Sequence, residues 1–325
     1  MKENESKYKQ IVNHVIDGIN SGKYKKGDWI PSVNEFRKNY NLSRDTVFSG
    51  LKELKSKGII ESNPGKGFYV LSTKISFKHN IFLLFNELNE FKEDLYNSFM
   101  DSIGKSATVD LYFHNYNRKV FETLINEANG KYTTYIIMSG KFEGIEPLLN
   151  SLSGNIYLLD HFHPELKGKY SSVFQNFEKD TYEALNNSLS EIKKYNHIVM
   201  VQKDKKEPLE RYQGLCTFCL EHRFTHEFIS ETYQRTIKKG EVYMVVNDRD
   251  LVDLLKQSEK QNLKLKKDFG IISYNDTPLK EILAGGITTL STDFKLMGKT
   301  MASLIKKKTI ETIENPWTFN IRKSL

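Results

Sequence analysis

The fold class this sequence predicts is a small α+β domain of three helices and a hairpin, followed by a larger α/β domain of two lobes. Three observations carry it. Residues 7–71 hold three helical stretches with start and stop signals, then two strand-like runs around a glycine tip. From residue 80 onward, strand-length apolar runs alternate with amphipathic stretches. Residues 80–325 hold more of that alternation than one sheet usually needs, so two α/β lobes with a cleft between them are expected.

In the first domain, Ile11, Val12, Val15, Ile16 and Ile19 form an apolar stripe at helical spacing, and Gly22 ends it. Gly27-Asp28 makes a turn. Pro31-Ser32 opens a second short helix carrying Val33 and Phe36. Ser43 is the N-cap of a third, with Val47, Leu51 and Leu54 on its buried side and Gly58 after its end. Ile59-Ile60-Glu61 and Gly67-Phe68-Tyr69-Val70 read as strands around Asn63-Pro64-Gly65-Lys66. Helix, helix-turn-helix and a glycine-tipped hairpin make a winged helix-turn-helix.

Charge agrees with that reading. The chain carries 48 Lys and Arg against 41 Asp and Glu, net +7. Residues 1–72 hold 13 basic and 8 acidic side chains, so most of the excess sits in the first fifth of the chain. A basic head on a near-neutral body suits a polyanion-binding module attached to a domain with another task. Hydrophobic residues at 38% and aromatics at 12% are ample for packed cores. No apolar run approaches the roughly 20 residues a membrane helix needs. The polar start MKENESKYKQ reads as no signal peptide, and two cysteines cannot staple a chain this long. A soluble cytoplasmic protein with no membrane partner is expected.

The runs Gly27 to Ser32, Leu42 to Val47, Lys57 to Ile60 and Gly65 to Val70 resemble, in order and spacing, the GntR-type DNA-binding domain. The resemblance covers nearly all of residues 7–71, which sets the expected bounds: 1–71 for the head, 72–79 for a linker and 80–325 for the body. A recognition helix enters the major groove by its N-terminal end, where free N–H groups and short polar side chains meet phosphates and base edges. Ser43, Arg44, Asp45 and Thr46 stand there, with Arg44 either forking onto a guanine or clamping a phosphate. Asp45 reads equally as a base contact or a helix-start charge. Ser32 and Asn34 open the second helix. Asn34 stands where the family often has a DNA-contacting arginine, so half-site preference does not carry over. Lys66 and Gly67 at the wing tip are expected to approach the minor groove. Lys52, Lys55 and Lys57 read as a solvated or backbone-facing side.

Beyond a connector at Ser72 to His79, strand-like runs fall at Ile81–Phe85, Val109–Phe113, Tyr135–Met138, Ile156–Leu159, Ile198–Val201, Phe228–Ser230, Val242–Val246 and Phe269–Ile272. Helical runs between them include Glu90–Ile103, Val120–Ala128, Ile145–Leu152, Leu209–His222 and Leu251–Glu259. Arg211-Tyr212-Gln213-Gly214-Leu215, Val245-Val246-Asn247-Asp248, Phe269 to Asp276, Ile287-Thr288-Thr289-Leu290, Met297-Gly298 and Phe319 to Ser324 form a series. That series resembles the LacI-type effector domain, itself similar to periplasmic sugar-binding proteins, clearly across 195–325 and more loosely before. A GntR-type head on such a body is the arrangement of arabinose-responsive repressors and related sugar regulators.

The resemblance implies a sugar at the C-terminal ends of the strands. Arg211 matches an arginine that forks onto vicinal hydroxyls. Asn247 and Asn275 match hydroxyl-binding positions, with Asn275 where aspartate is usual. Asp160 matches an acidic position in the first lobe, and His161 beside it could also touch the effector. Asn86 and Phe91 are possible rim contacts, although Phe91 reads more readily as core packing. Asp248 and Asp276 read as helix caps, and Asn247 and Asn275 could close turns through their own backbones.

Cys216, Cys219, His222 and His226 are metal-ligand types, but one helix rarely closes a tetrahedron, so no zinc is expected. His161 and His163 lack an evident third ligand. No nucleophile elbow, phosphate-cradling P-loop or dinucleotide fingerprint appears, so neither catalysis nor a cofactor is expected. The sequence thus predicts a homodimeric regulator on a pseudo-palindromic operator, a repressor of carbohydrate-utilisation genes released by an arabinose- or fucose-like monosaccharide. A non-sugar or phosphorylated effector, or activation in place of repression, stays open.

Overall fold

Two serines set the helix-turn-helix in the computed structural model, which describes residues 7–73, 79–104, 107–203, 206–307 and 309–325. After α1 (Lys9–Asn20), Ser32 starts α2 (Val33–Tyr40) and Ser43 starts α3 (Arg44–Ser56). The Ser32 hydroxyl accepts from the Glu35 N–H, and the Glu35 carboxylate accepts in return from the Ser32 N–H, a reciprocal cap that satisfies two orphan donors. Ile11, Val12, Val15 and Ile19 of α1 join Phe36, Val47, Leu51 and Leu54 in one core. Gly50 lets α1 and α3 touch, since a Cβ there would lie 2.9 Å from the Tyr8 carbonyl. The hairpin β1 (Ile60–Asn63) and β2 (Gly67–Val70) pairs Asn63 with Gly67 around a tip where Gly65 and Gly67 take positive φ. One buried charge cluster supports α3: Glu53 accepts from Lys9 at 2.8 Å and from Lys57. Burial pushes the Glu53 carboxyl up, but the two ammonium groups outweigh it and hold it below the usual range.

Along the body the elements run β3 (His79–Phe85), α4 (Glu90–Ile103), β4 (Ala107–Phe113), α5 (Arg118–Ala128), β5 (Thr134–Ile137), α6 (Glu146–Asn150) and β6 (Asn155–Asp160). They continue with β7 (Ser171–Phe174), α7 (Phe177–Asn187), α8 (Leu189–Ile192), β8 (His197–Val201), α9 (Glu210–His222), β9 (Thr225–Ile229), β10 (Glu241–Val245) and α10 (Asp248–Lys260). The chain closes with β11 (Gly270–Tyr274), α11 (Pro278–Ile282), β12 (Thr288–Thr292), α12 (Phe294–Lys307), β13 (Thr312–Glu314) and β14 (Trp317–Asn320).

These elements fall into two units. The first holds the head with β3, β4, α5, β5, α6 and β6, whose strands run parallel in the order β6-β5-β3-β4. The second holds α4, Asp160 and everything after β7 begins. Its sheet runs β14-β12-β11-β10-β8-β9, all parallel but for β14 against β12. β13 pairs parallel with β7.

Alternation along β8 explains the double winding of the second unit. Ile198 and Met200 enter one core with Leu215 and Phe218 of α9, while Val199 and Val201 enter the opposite one with Leu251 and Leu254 of α10. Helices α9 and α7 meet at Gly214, where a Cβ would lie 2.1 Å from the Glu178 carbonyl oxygen.

The expected strands recur with end shifts of one to three residues, and the expected helix over 145–152 shortens to α6. β7 and α7 were not expected. The linker expected over 72–79 has residues 74–78 outside the described residues, as is Lys308 of the basic run 306–308.

Candidate functional site

The N-terminus of α3 presents Ser43, Arg44 and Asp45 as exposed polar residues. Ser43 caps it, its hydroxyl accepting from the Thr46 N–H at 3.2 Å and sharing a 2.7 Å bond with the Thr46 hydroxyl. Arg44 projects from the first turn over the Phe48 ring, 5.5 Å from its centroid, and forms no ion pair among the described residues. Asp45 beside it is exposed, and its carbonyl accepts from the Ser49 hydroxyl at 2.9 Å. Asn34 and Lys66 are likewise exposed, whereas the Ser32 hydroxyl is engaged in its cap. Lys55 pairs with Glu61 at 2.6 Å and Lys57 with the buried Glu53, which takes both away from any ligand. What remains is an unpaired guanidinium beside the positive end of a helix and a basic wing tip.

In the second unit a set of side chains surrounds Arg211, which leaves the first turn of α9 and is only 5% exposed. Its guanidinium carbon lies 4.7 Å from the centroid of Phe177 and 4.7 Å from that of Tyr274. One terminal nitrogen donates to Glu207 at 2.7 Å, while Nε has no hydrogen-bond partner among the described residues. Burial pulls its pKa down, but Glu207, Tyr274 and Asp160 push it further up, so the group is charged at every pH the fold survives. Asp160 ends β6 with φ at 80° and accepts from the Gln175 amide. The Tyr274 hydroxyl shares a bond with Thr181, and burial lifts its pKa to about 12. Asn275 follows β11 with φ at 62°, its N–H bonded to the Leu290 carbonyl at 2.8 Å and its side-chain amide unpaired among the described residues. Beneath it, Lys280 donates to the Tyr274 and Asn275 carbonyls. Burial lowers its pKa, against the pull of Asp248, Asp276 and Glu90.

The profile of bacterial regulatory proteins of the gntR family matches residues 7–70. The head is a GntR-family domain. YdfD, an uncharacterized HTH-type transcriptional regulator of Bacillus subtilis (strain 168), is 38% identical over 66 residues, 20% of this chain and 14% of that protein. The arabinose metabolism transcriptional repressor of Halalkalibacterium halodurans is 28% identical over 170 residues, 47% of this chain and 42% of that one. The chain thus spans less than half the length of these relatives. A LacI family transcriptional regulator from Enterococcus faecium, solved with bound ribose, superposes at a TM-score of 0.62 with 18% identity over 75% of this chain and 98% of its own. The body therefore has the two-lobed α/β fold of LacI-type and periplasmic sugar-binding proteins.

Within that GntR head and LacI-type body, the residues singled out from sequence divide clearly. Arg211, Asp160 and Asn275 belong to the second unit's polar cluster. Asn247 caps α10: its Oδ1 accepts from the Asp250 N–H at 3.0 Å, and its amide nitrogen donates to the Asp250 carboxylate. Its side chain is thus spent on the cap and is not a free hydroxyl binder. Neither Asp248 nor Asp276 caps a helix. Asp248 pairs with Lys280 at 3.0 Å, and Asp276 takes a fork from Arg322, both bonds 2.8 Å. Phe91, half-buried, packs on the buried Phe294, centroids 4.8 Å apart. Asn86 belongs to the first unit, buried past β3, its Oδ1 accepting from the Glu87 N–H. His161 lies 3.9 Å from Glu210. Cys219 sits in the core, Cys216 faces His226 at 3.9 Å and His222 bonds Asn186, so these four do not converge. Phe177, Tyr274 and Lys280 escaped notice because nothing local links them to Arg211, whereas Glu207, four residues before it, was missed despite the i,i+4 spacing of an ion pair. An aromatic at the end of a buried strand, as Tyr274 is, was the other available signal.

Proposed function

We propose that this chain is a transcriptional regulator of carbohydrate-utilisation genes, a repressor whose GntR head holds DNA and whose body binds a neutral monosaccharide at the Arg211 cluster. The observation that carries the reading is Arg211 itself: almost fully buried, clamped between two aromatic faces, and left with one N–H unpaired. Buried donors are ordinarily satisfied, so an orphan beside aromatic walls suits a ligand that offers both an oxygen and an apolar face. Relatives that match part of the chain include the mannosyl-D-glycerate transport/metabolism system repressor MngR, over 95 residues, and a probable fructoselysine utilization operon repressor, over 68, both of Escherichia coli, which supports a carbohydrate effector. An arabinose- or fucose-like sugar is the class proposed. Two heads on a homodimer would read a pseudo-palindromic operator in the cytoplasm, with no catalytic step. For the sugar to release DNA it must prefer the DNA-incompetent state, by a coupling of about 1–3 kcal/mol.

The test is a thermal melt of the purified chain with L-arabinose, L-fucose and D-ribose, repeated with Arg211→Ala. A shift of several degrees with one sugar, absent in the variant, is expected. Equal shifts in both proteins, or none with any sugar, would remove the sugar reading.

A further inference from the structure

Lys280 is 3% exposed, yet its ammonium group is fully engaged: it donates to the carbonyls of Tyr274 and Asn275, each at 2.8 Å, and pairs with Asp248 Oδ1 at 3.0 Å. Burying a lysine is costly unless each of its protons finds an oxygen, and here three partners are in place. Those partners lie just beyond or at the ends of two strands. Tyr274 ends β11 and Asn275 follows it, and Asp248 opens α10 directly after the Asn247 cap that follows β10. The two carbonyls belong to the residue whose ring faces Arg211 and to the residue whose unpaired amide stands next to it in sequence. Asn275 holds a positive φ, a conformation that a non-glycine residue keeps only where its surroundings impose it. The surroundings that impose it are the Leu290 carbonyl, which takes the Asn275 N–H, and Lys280, which takes the Asn275 carbonyl.

We propose that Lys280 is a positioning residue for effector binding, which by tying the ends of β10 and β11 together sets the Tyr274 ring against Arg211 and fixes the direction of the Asn275 amide. The inference rests on the effector reading of the Arg211 cluster. Lys280 touches no ligand in this scheme; it acts through two backbone carbonyls.

The experiment compares the full-length chain with Lys280→Met, Asn275→Ala and the double variant in two arms. In the first, amide hydrogen exchange without any sugar is expected to show faster exchange at residues 274–277 and 247–249 in Lys280→Met. The centres of β10 and β11 should stay protected. Unchanged loops, or loss of protection spread over the whole second unit, would overturn the proposal. In the second arm, binding of L-arabinose, L-fucose and D-ribose is measured. Each single variant is expected to weaken the sugar that binds by about tenfold, and the double variant by little more than either one, because the two act through the same amide. Losses that multiply would make Lys280 merely structural and overturn the proposal. Should the wild-type chain bind none of the three sugars, the effector reading fails and positioning for an effector falls with it, while the exchange arm still reports whether Lys280 holds the loops. If Lys280→Met does not fold, Asp248→Asn at an exposed position removes one of the three partners and is expected to give the same pattern at smaller amplitude.

Discussion

The guanidinium of Arg211 and the ring of Tyr274 lie face to face at 4.7 Å, and the Tyr274 hydroxyl is tied to Thr181, so the ring cannot swing away from the cation it covers. A desolvated cation on an aromatic face is worth about 2 kcal/mol, more than a typical neutral hydrogen bond. The ring face therefore matters more than the hydroxyl.

That ranking is directly measurable. Tyr274→Phe keeps the face and should cost about 1 kcal/mol in urea unfolding. Tyr274→Leu removes the face and leaves a void, and should cost about 3 kcal/mol. Equal losses would mean that Arg211 gains nothing from the ring.

Arg44 should separate DNA binding from stability. It is exposed and meets only the Phe48 ring, so Arg44→Ala should move unfolding by less than about 0.5 kcal/mol. Binding to an operator selected from a random duplex library should fall at least about tenfold, with the salt slope reduced by about one if the contact is to phosphate. An unchanged affinity would take α3 out of the DNA interface.

Asp180 gives the second unit a pH signature. It is 5% exposed, Oδ1 has no hydrogen-bond partner among the described residues, and burial followed by the Glu314 carboxylate raises its pKa to about 7. The folded state therefore holds this proton more tightly than the unfolded chain, whose value is near 3.8. Stability from this site is complete below about pH 4 and declines as pH rises toward 7, then stays flat. Asp180→Asn should match the wild type in melting at pH 4.5 and exceed it at pH 8, by on the order of 2 kcal/mol. A difference that does not grow with pH would contradict this.

Gly214 tests the helix crossing. With a Cβ only 2.1 Å from a backbone oxygen, Gly214→Ala forces α9 and α7 apart, and should destabilise the body by about 3 kcal/mol or more in denaturant titration. Because Arg211 and Phe177 lie at the start of these two helices, the variant should also lose sugar-dependent stabilisation. A neutral substitution would show that the helices have room to slide.

Much of this arrangement is legible in the sequence. In the head, caps, glycine stops and apolar spacing act within a few residues of one another, and Ser32, Ser43, Gly65 and Gly67 do what local chemistry requires of them. In the body the buried strands announce themselves as apolar runs. β7 does not, because Ser171 and Ser172 make up half of it and are buried as polar residues. Arg211 stands out by its motif, but its bracket comes from residues 34 positions before it and 63 after it. Asn247 and Asn275 look alike on paper, each an Asn-Asp pair after a strand. One is spent on a helix cap, and the other is free because a following proline helix starts at Thr277 instead.

The left-handed backbone at Asn275 also narrows what this position can ever become. Glycine settles in that conformation most readily and, among residues with a side chain, asparagine and aspartate do. Substitution there most easily exchanges an amide for a carboxylate or erases the group, and a β-branched side chain is strained. Charge at this position can drift at little cost while branching is penalised, so a β-branched side chain is more readily accommodated at other positions.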